Sequence, residues 1–236
     1  MTGKLSVVVV TREPDKQEEL KKNIIDTAML GLDIFFVVNP NGVGLPVIYN
    51  KMLNDENVNK NEIIVFMHDD IELLKKGWAS EIYRMFNEHK EYGIIGVAGS
   101  AQFDENGAWW QYEKKYGQVL HRHEGNSWLT TFSPLLDKDL QDVCVIDGLF
   151  MAIDVKRVGK QFDENLAFDF YDICFCLDNY LAKNCKIGVT TNIRIAHSSI
   201  GQMRQGWYAA REYANKKYAD KFPIDLELAK NKGRKR

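Results

Sequence analysis

The sequence predicts an α/β protein in which a mostly parallel central sheet is sandwiched between helices in three layers. Three features point to it. "LSVVVV" at 5–10 is a near-continuous β-branched run, the pattern of a strand covered on both faces. "DIFFVV" and "EIIVFM" repeat that character further along. The intervals between these runs carry helical spacing, and strands joined by helical crossovers lie parallel.

The elements follow in order. Pro14 and Asp15 open the first helix, whose apolar positions Leu20, Ile24 and Ala28 recur every four residues, and Gly31 follows its end. "DIFFVV" is then expected as a second buried strand. After "NPNGVG", Leu45, Ile48 and Met52 share one helical face, and "EIIVFM" returns to the sheet. Trp78, Ile82, Met85 and Phe86 mark the next helix, and Gly93 leads into a strand at "IIGVAG".

From residue 101 the rhythm breaks. Residues 101–141 are rich in Gly, Trp, His and Lys, with turn signals at "DENG" and "HEGN", and read as a hairpin-bearing insertion rather than a second domain. Strand character returns at "VCVIDGLFMAI". A helix near 170–184, the short strand "KIGVTT" and an amphipathic segment from about 205 to 220 complete the pattern. The expected organisation is one domain over 1–204 containing the insertion, followed by a C-terminal helix and basic tail over 205–236.

With 236 residues and 45% hydrophobic content, the chain can bury one sizeable core. Its 31 basic side chains nearly cancel 33 acidic ones, which removes any global pull toward nucleic acid. The apolar stretch of "MTGKLSVVVVTREP" is short for a signal sequence, and no window reaches the ~20 apolar residues of a membrane span. A soluble, cytoplasmic protein is expected. Cys144, Cys174, Cys176 and Cys185 lack C-x-x-C spacing and read as reduced structural thiols. The tail "KNKGRKR" reads as a solvated end, with weak contact to an anionic membrane surface as the alternative.

The chemistry concentrates where the third strand stops, at "IVFMHDDIELL". Ligands of open α/β sheets bind beyond the carboxyl ends of the strands. Strand alternation puts His68 and Asp70 on one side and Asp69 on the other. Adjacent carboxylates there suit a hard divalent cation shared with substrate phosphates. The same acids also suit an Asx turn before Ile71. Asp169 reads as a helix N-cap with Asp172 at the third helical position, where the helix dipole favours negative charge. Trp109 and Trp110 either pack on a sugar face or fold back into the core. "HRHE" at 121–124 reads as a solvated hairpin edge.

Taken in order, the opening strand, "VIYNKML", "IIVFMHDDIEL", "DGLFMAI", "FDENLAFDFYDICFCL" and "IRIAHSSIG" resemble the family-2-like glycosyltransferases of the GT-A fold. The resemblance is to the bacterial subgroup with a His-Asp-Asp metal motif and a Tyr-Asp base motif, and it covers about residues 5–200. It implies a nucleotide-diphosphate sugar donor and an inverting transfer to a hydroxyl of a glycan, lipid-linked or small-molecule acceptor in bacterial glycan assembly. Asp70 would ligate Mn²⁺ or Mg²⁺, His68 replaces the usual first acid, and His197 completes the metal site or touches the diphosphate. Thr11, Arg12, Glu13, Asn39 and Asn50 would bind the nucleotide, with Asp69 near the ribose. Asp172 stands at the base position, Tyr171 replacing the usual glutamate, and Asp147 and Gly148 lie on the acceptor side with Trp109 and Trp110.

Two other readings compete. A sugar-phosphate nucleotidyltransferase needs a Gly-rich basic loop after the first strand, and "TREPDK" has no glycine. A catalytically silent sugar-binding module would keep the tryptophans and tolerate loss of Asp172.

Overall fold

A computed structural model describes residues 5–199 and 201–228; the basic tail lies outside them. In chain order the elements are β1 (Leu5–Thr11), α1 (Gln17–Ala28), β2 (Leu32–Val38), α2 (Leu45–Asn54), α3 (Glu56–Asn59), β3 (Ile63–Met67), β4 (Ile71–Leu73), α4 (Trp78–Glu88), β5 (Tyr92–Gly96), β6 (Ala98–Ser100) and β7 (Gln102–Phe103). The chain continues through β8 (Lys115–His123), β9 (Asn126–Thr131), β10 (Gln141–Val143), β11 (Val145–Ile146), β12 (Phe150–Asp154), α5 (Tyr171–Leu181), β13 (Lys186–Val189), β14 (Ile195–His197), α6 (Gln205–Lys217) and β15 (Ile224–Asp225).

Among the described residues the main sheet has seven strands in the order β10-β13-β5-β12-β3-β1-β2. Strands β1, β2, β3, β5 and β13 run one way, and β12 and β10 oppose them. Side-chain alternation sorts the helices into layers. Phe66 meets Tyr49 of α2 at a ring separation of 4.2 Å. Its neighbour Met67 points the other way, with its cross-strand partner Phe150, which meets Trp78 of α4 at 5.9 Å. Thus α2 covers one face, joined by α5 through Tyr49 and Tyr171. The opposite face carries α4, against which α1 packs.

Local chemistry explains most boundaries. Val7, Val8 and Val9 are fully buried, as a strand between two helix layers requires. A 3-10 turn at Pro14–Lys16 precedes α1, which buries Leu20, Ile24 and Ala28. Met29 rather than Gly31 takes the left-handed conformation that ends α1, at φ 55°.

Several expectations are corrected. β2 is half-buried along its length because it forms an edge of the main sheet. "IIGVAG" is two strands in two sheets, the break falling at Val97, and "VCVIDGLFMAI" is divided among β10, β11 and β12. The residue capping α5 is Phe170, at φ 63° and with no side-chain cap bond, so Asp169 is not the N-cap and Asp172 is the second helical residue. Residues 101–141 do carry the expected hairpin, β8 and β9, which turns at Glu124 and Gly125 with φ 50° and 78°. It is not an appendage, however. β8 pairs with β6 and β14 as well as β9, and so forms the middle of the second sheet, β11-β6-β8-β14-β4.

No described helix is long and apolar enough to cross a membrane. All four cysteines are free thiols. Helix α6 is fastened to the body by Lys217, which bonds Asp163 and Asp178 at 2.7 Å each, and by Trp207, packed on Phe170 at 5.3 Å.

Candidate active site

The apolar strand β3 ends at Met67, and the next three residues emerge beyond the sheet. His68 is anchored there by its backbone N–H, which donates to Leu149 O at 3.0 Å. Asp70 accepts Ser198 N–H at its backbone carbonyl, and that bond brings the end of β14 alongside. Consequently His68, Asp70 and His197 each offer a ligand atom within 4.8 Å of one another. Asp70 Oδ1 lies 3.3 Å from His197 Nε2 and 4.0 Å from His68 Nδ1.

The electrostatics match the geometry. Burial works to raise the Asp70 pKa, but the neighbouring imidazoles, His197 first, hold it well below the usual carboxylate range. Burial works to lower His197, yet its pairing with Asp70 prevails and raises it. His68 is lowered, chiefly by burial, and so favours its neutral, ligating form. Asp70 Oδ1 is buried, and His197 Nε2 at 3.3 Å is not aligned to give it a full hydrogen bond. Two imidazoles and one carboxylate, its buried oxygen facing them, fit a divalent cation.

A second group is wired to the first. Tyr171 donates its hydroxyl proton to Gly148 O at 3.1 Å. Its oxygen can then accept from His68 Nε2–H, also at 3.1 Å, which leaves the Nδ1 lone pair on the Asp70 side. The same Gly148 donates its N–H to Asp172 Oδ2 at 2.6 Å, and Ile173 N–H donates to Asp172 Oδ1 at 2.8 Å. Glycine is required at 148, since a Cβ there would lie 2.2 Å from the Tyr171 hydroxyl oxygen. Burial, then the negative charge of Asp147, push the Asp172 pKa up to about 7 against the pull of those backbone bonds. The charge of Asp147 also bears on His68, His121 and His197, so it lies among all of these groups.

Other residues singled out in the sequence fall in different places. Asp69 turns to the α1 face and lines a narrow crevice with Thr11, Gln17, Leu20 and Phe36. Thr11 is buried, and its hydroxyl accepts Glu13 N–H at 2.9 Å; Arg12 is exposed, with its guanidinium facing Gly42. The amide of Asn39 is bonded at both ends to Val43, bracing the turn before α2. Asn50 is likewise occupied, donating to Phe162 O and Glu164 while accepting Phe162 N–H. Trp109 is only 4% exposed and packs on Phe132 at 4.9 Å, so it belongs to the core rather than to an acceptor surface. Trp110 is partly buried, 6.3 Å from Trp207.

The structure adds residues that sequence reading passed over. His121 is not on a solvated edge: it pairs in parallel register with His197, their rings 6.1 Å apart, and stacks on Trp128 at 5.4 Å. The H-x-H alternation was the available signal, but only the β8–β14 pairing shows what it faces. Phe168 is 56% exposed and lies 5.7 Å from the His68 ring, held out between buried Leu166 and Phe170. A second acidic and histidine cluster, Glu88, His89 and Asp139, is already bridged by the guanidinium of Arg84.

The seven-stranded mixed sheet between helix layers is a GT-A type of fold. The crystal structure of GalNAc-T7 with UDP, GalNAc and Mn²⁺ superposes with a TM-score of 0.52 at 10% sequence identity, covering 86% of this chain and 44% of that one. The crystal structure of A197 from STIV gives a TM-score of 0.48 at 9% identity, over 84% and 86% of the two chains. No curated protein sequence matches significantly. Residues 32–220 match the model of the glycosyltransferase-like family, and the chain belongs to that family.

Proposed function

We propose that the protein transfers a sugar from a nucleotide-diphosphate sugar to an acceptor hydroxyl, with inversion and with the assistance of a divalent cation, in bacterial glycan or glycoconjugate assembly in the cytoplasm. The observation that carries this is the wiring of two acidic centres. Asp70, grouped with His68 and His197, connects to Asp172 through the Tyr171 and Gly148 hydrogen bonds. Residues 1–204 form the transferase domain in this reading, and 205–236 the C-terminal helix and tail.

His68, Asp70 and His197 would hold Mn²⁺ or Mg²⁺, which when bound supplies positive charge to the donor diphosphate. Tyr171 positions His68 for this task by fixing which ring nitrogen carries the proton. Asp172 accepts the proton of the attacking hydroxyl. A carboxylate with a pKa of about 7 is suited to the work, being available near neutrality yet basic enough to take a proton. Asp147, beside it, accepts a hydrogen bond from the acceptor and keeps Asp172 basic through its charge. Thr11, Arg12, Glu13 and Asp69 lie on the nucleotide side. Trp110 remains on the acceptor side.

Calorimetric titration of nucleoside diphosphates with and without Mn²⁺ tests the reading. Metal-dependent binding of at least one is expected, and no binding of any, in either condition, would refute it.

A further inference from the structure

The crevice on the α1 face contains an unused donor. Gln17, the first residue of α1, buries its side-chain Nε2 with no hydrogen-bond partner. The crevice is lined, besides Gln17, by Thr11, Leu20, Phe36 and Asp69. An orphaned buried donor is costly to a fold. Such a group calls for an explanation outside the hydrogen bonding of the free chain.

Position supplies one. Thr11 ends β1, Phe36 lies near the end of β2, and Asp69 follows β3, so the crevice sits at the carboxyl ends of three adjacent parallel strands. Asp69 is the chain neighbour of both His68 and Asp70. A diphosphate held by the His68, Asp70 and His197 group would therefore place its nucleoside within reach of the crevice. Phe36 offers an aromatic face and Asp69 an acceptor, and both are only partly buried, so their side chains can part. Gln17 gives up no donor bond on turning toward a ligand.

Resting on the proposed function, we infer that Gln17 is a specificity-determining residue for the donor nucleotide: its Nε2–H donates to a ring carbonyl of the base. Adenine alone among the common bases lacks such a carbonyl.

The test compares UDP, CDP, GDP, ADP and inorganic pyrophosphate, each titrated with Mn²⁺ into the full chain and into Gln17→Leu. A carbonyl-bearing nucleotide is expected to bind wild type more tightly than pyrophosphate, ADP gaining least. In Gln17→Leu that nucleotide should weaken about tenfold, the loss of one hydrogen bond, while pyrophosphate is unchanged. Gln17→Glu, which exchanges the donor for an acceptor, should show the same selective loss and guards against a repacking effect of leucine. Unchanged nucleotide affinity in both variants, equal weakening of nucleotide and pyrophosphate, or an ADP gain matching the others would each overturn the inference. If wild type binds none of these, pyrophosphate included, the reading of the cation site fails first and this inference with it.

Discussion

Asp172→Asn separates the cost of the candidate base from its use. The carboxyl is shifted from 3.8 to about 7 by burial and by Asp147, so the folded chain binds more protons there than the unfolded chain between those values. Stability from this group is therefore lost as pH rises through that window and levels off above it. Worked through the two pKa values, wild type should lose about 2.6 kcal/mol relative to the asparagine variant between pH 5 and pH 8. Solvent reaching the partly exposed carboxylate cuts this to roughly half at the lower end. At about 2–4 °C per kcal/mol for a chain of this size, the gap in Tm should move by roughly 3–10 °C. The asparagine also forfeits one of the two backbone bonds from Gly148 and Ile173, but that loss is independent of pH and cancels. Thermal melts of both proteins at pH 5 and pH 8, without nucleotide or divalent ion, make the measurement. Parallel Tm profiles would show that Asp172 ionises normally and would remove the physical basis for assigning it as the base. In the same pair, wild-type turnover should rise with pH to a plateau above about 7, and the variant should be inactive at every pH.

Three further substitutions probe other parts of the site. Asp70→Asn should abolish the heat of Mn²⁺ binding, whereas retention of wild-type affinity would place the cation elsewhere. Tyr171→Phe removes the hydroxyl that holds His68 while keeping the ring packing, and should weaken Mn²⁺ binding about tenfold or more in the same titration; an unchanged affinity would mean that His68 is not a ligand. Trp109→Ala should destabilise the chain by about 3–5 kcal/mol in urea unfolding, as expected for a buried tryptophan, and a surface-like effect below about 0.5 kcal/mol would contradict its place in the core.

The central layers were legible from spacing because burial on two faces leaves a signal in every residue. Val7 to Val9, the Leu20, Ile24 and Ala28 stripe, and Trp78 with Ile82 all sit where periodicity puts them. Continuity of apolar residues does not say which sheet a strand joins, which is why "IIGVAG" concealed a change of sheet at Val97. Asn39 and Asn50 show another limit: a polar side chain near a strand end has the same composition whether it binds a ligand or braces a loop, and only its partners decide. Asp169 carried the chemistry of a cap, yet Phe170 took the left-handed turn, because packing on Trp207 fixes that ring. The pairing of His121 with His197 spans 76 positions of sequence and lies beyond any local pattern.

The placement of β8 at the middle of the second sheet limits how this enzyme could be re-engineered. β8 brings His121 beside His197, and through Arg122 it meets Glu72 on β4, just past the turn at 68–70. Grafting a foreign hairpin over 115–131 would thus disturb the strand packed beside the His68, Asp70 and His197 group. β9 is different, since among the described residues it pairs only with β8, and it leaves most of its side chains exposed. Sequence diversity is best confined to that outer strand, where it leaves the β8–β14 pairing standing.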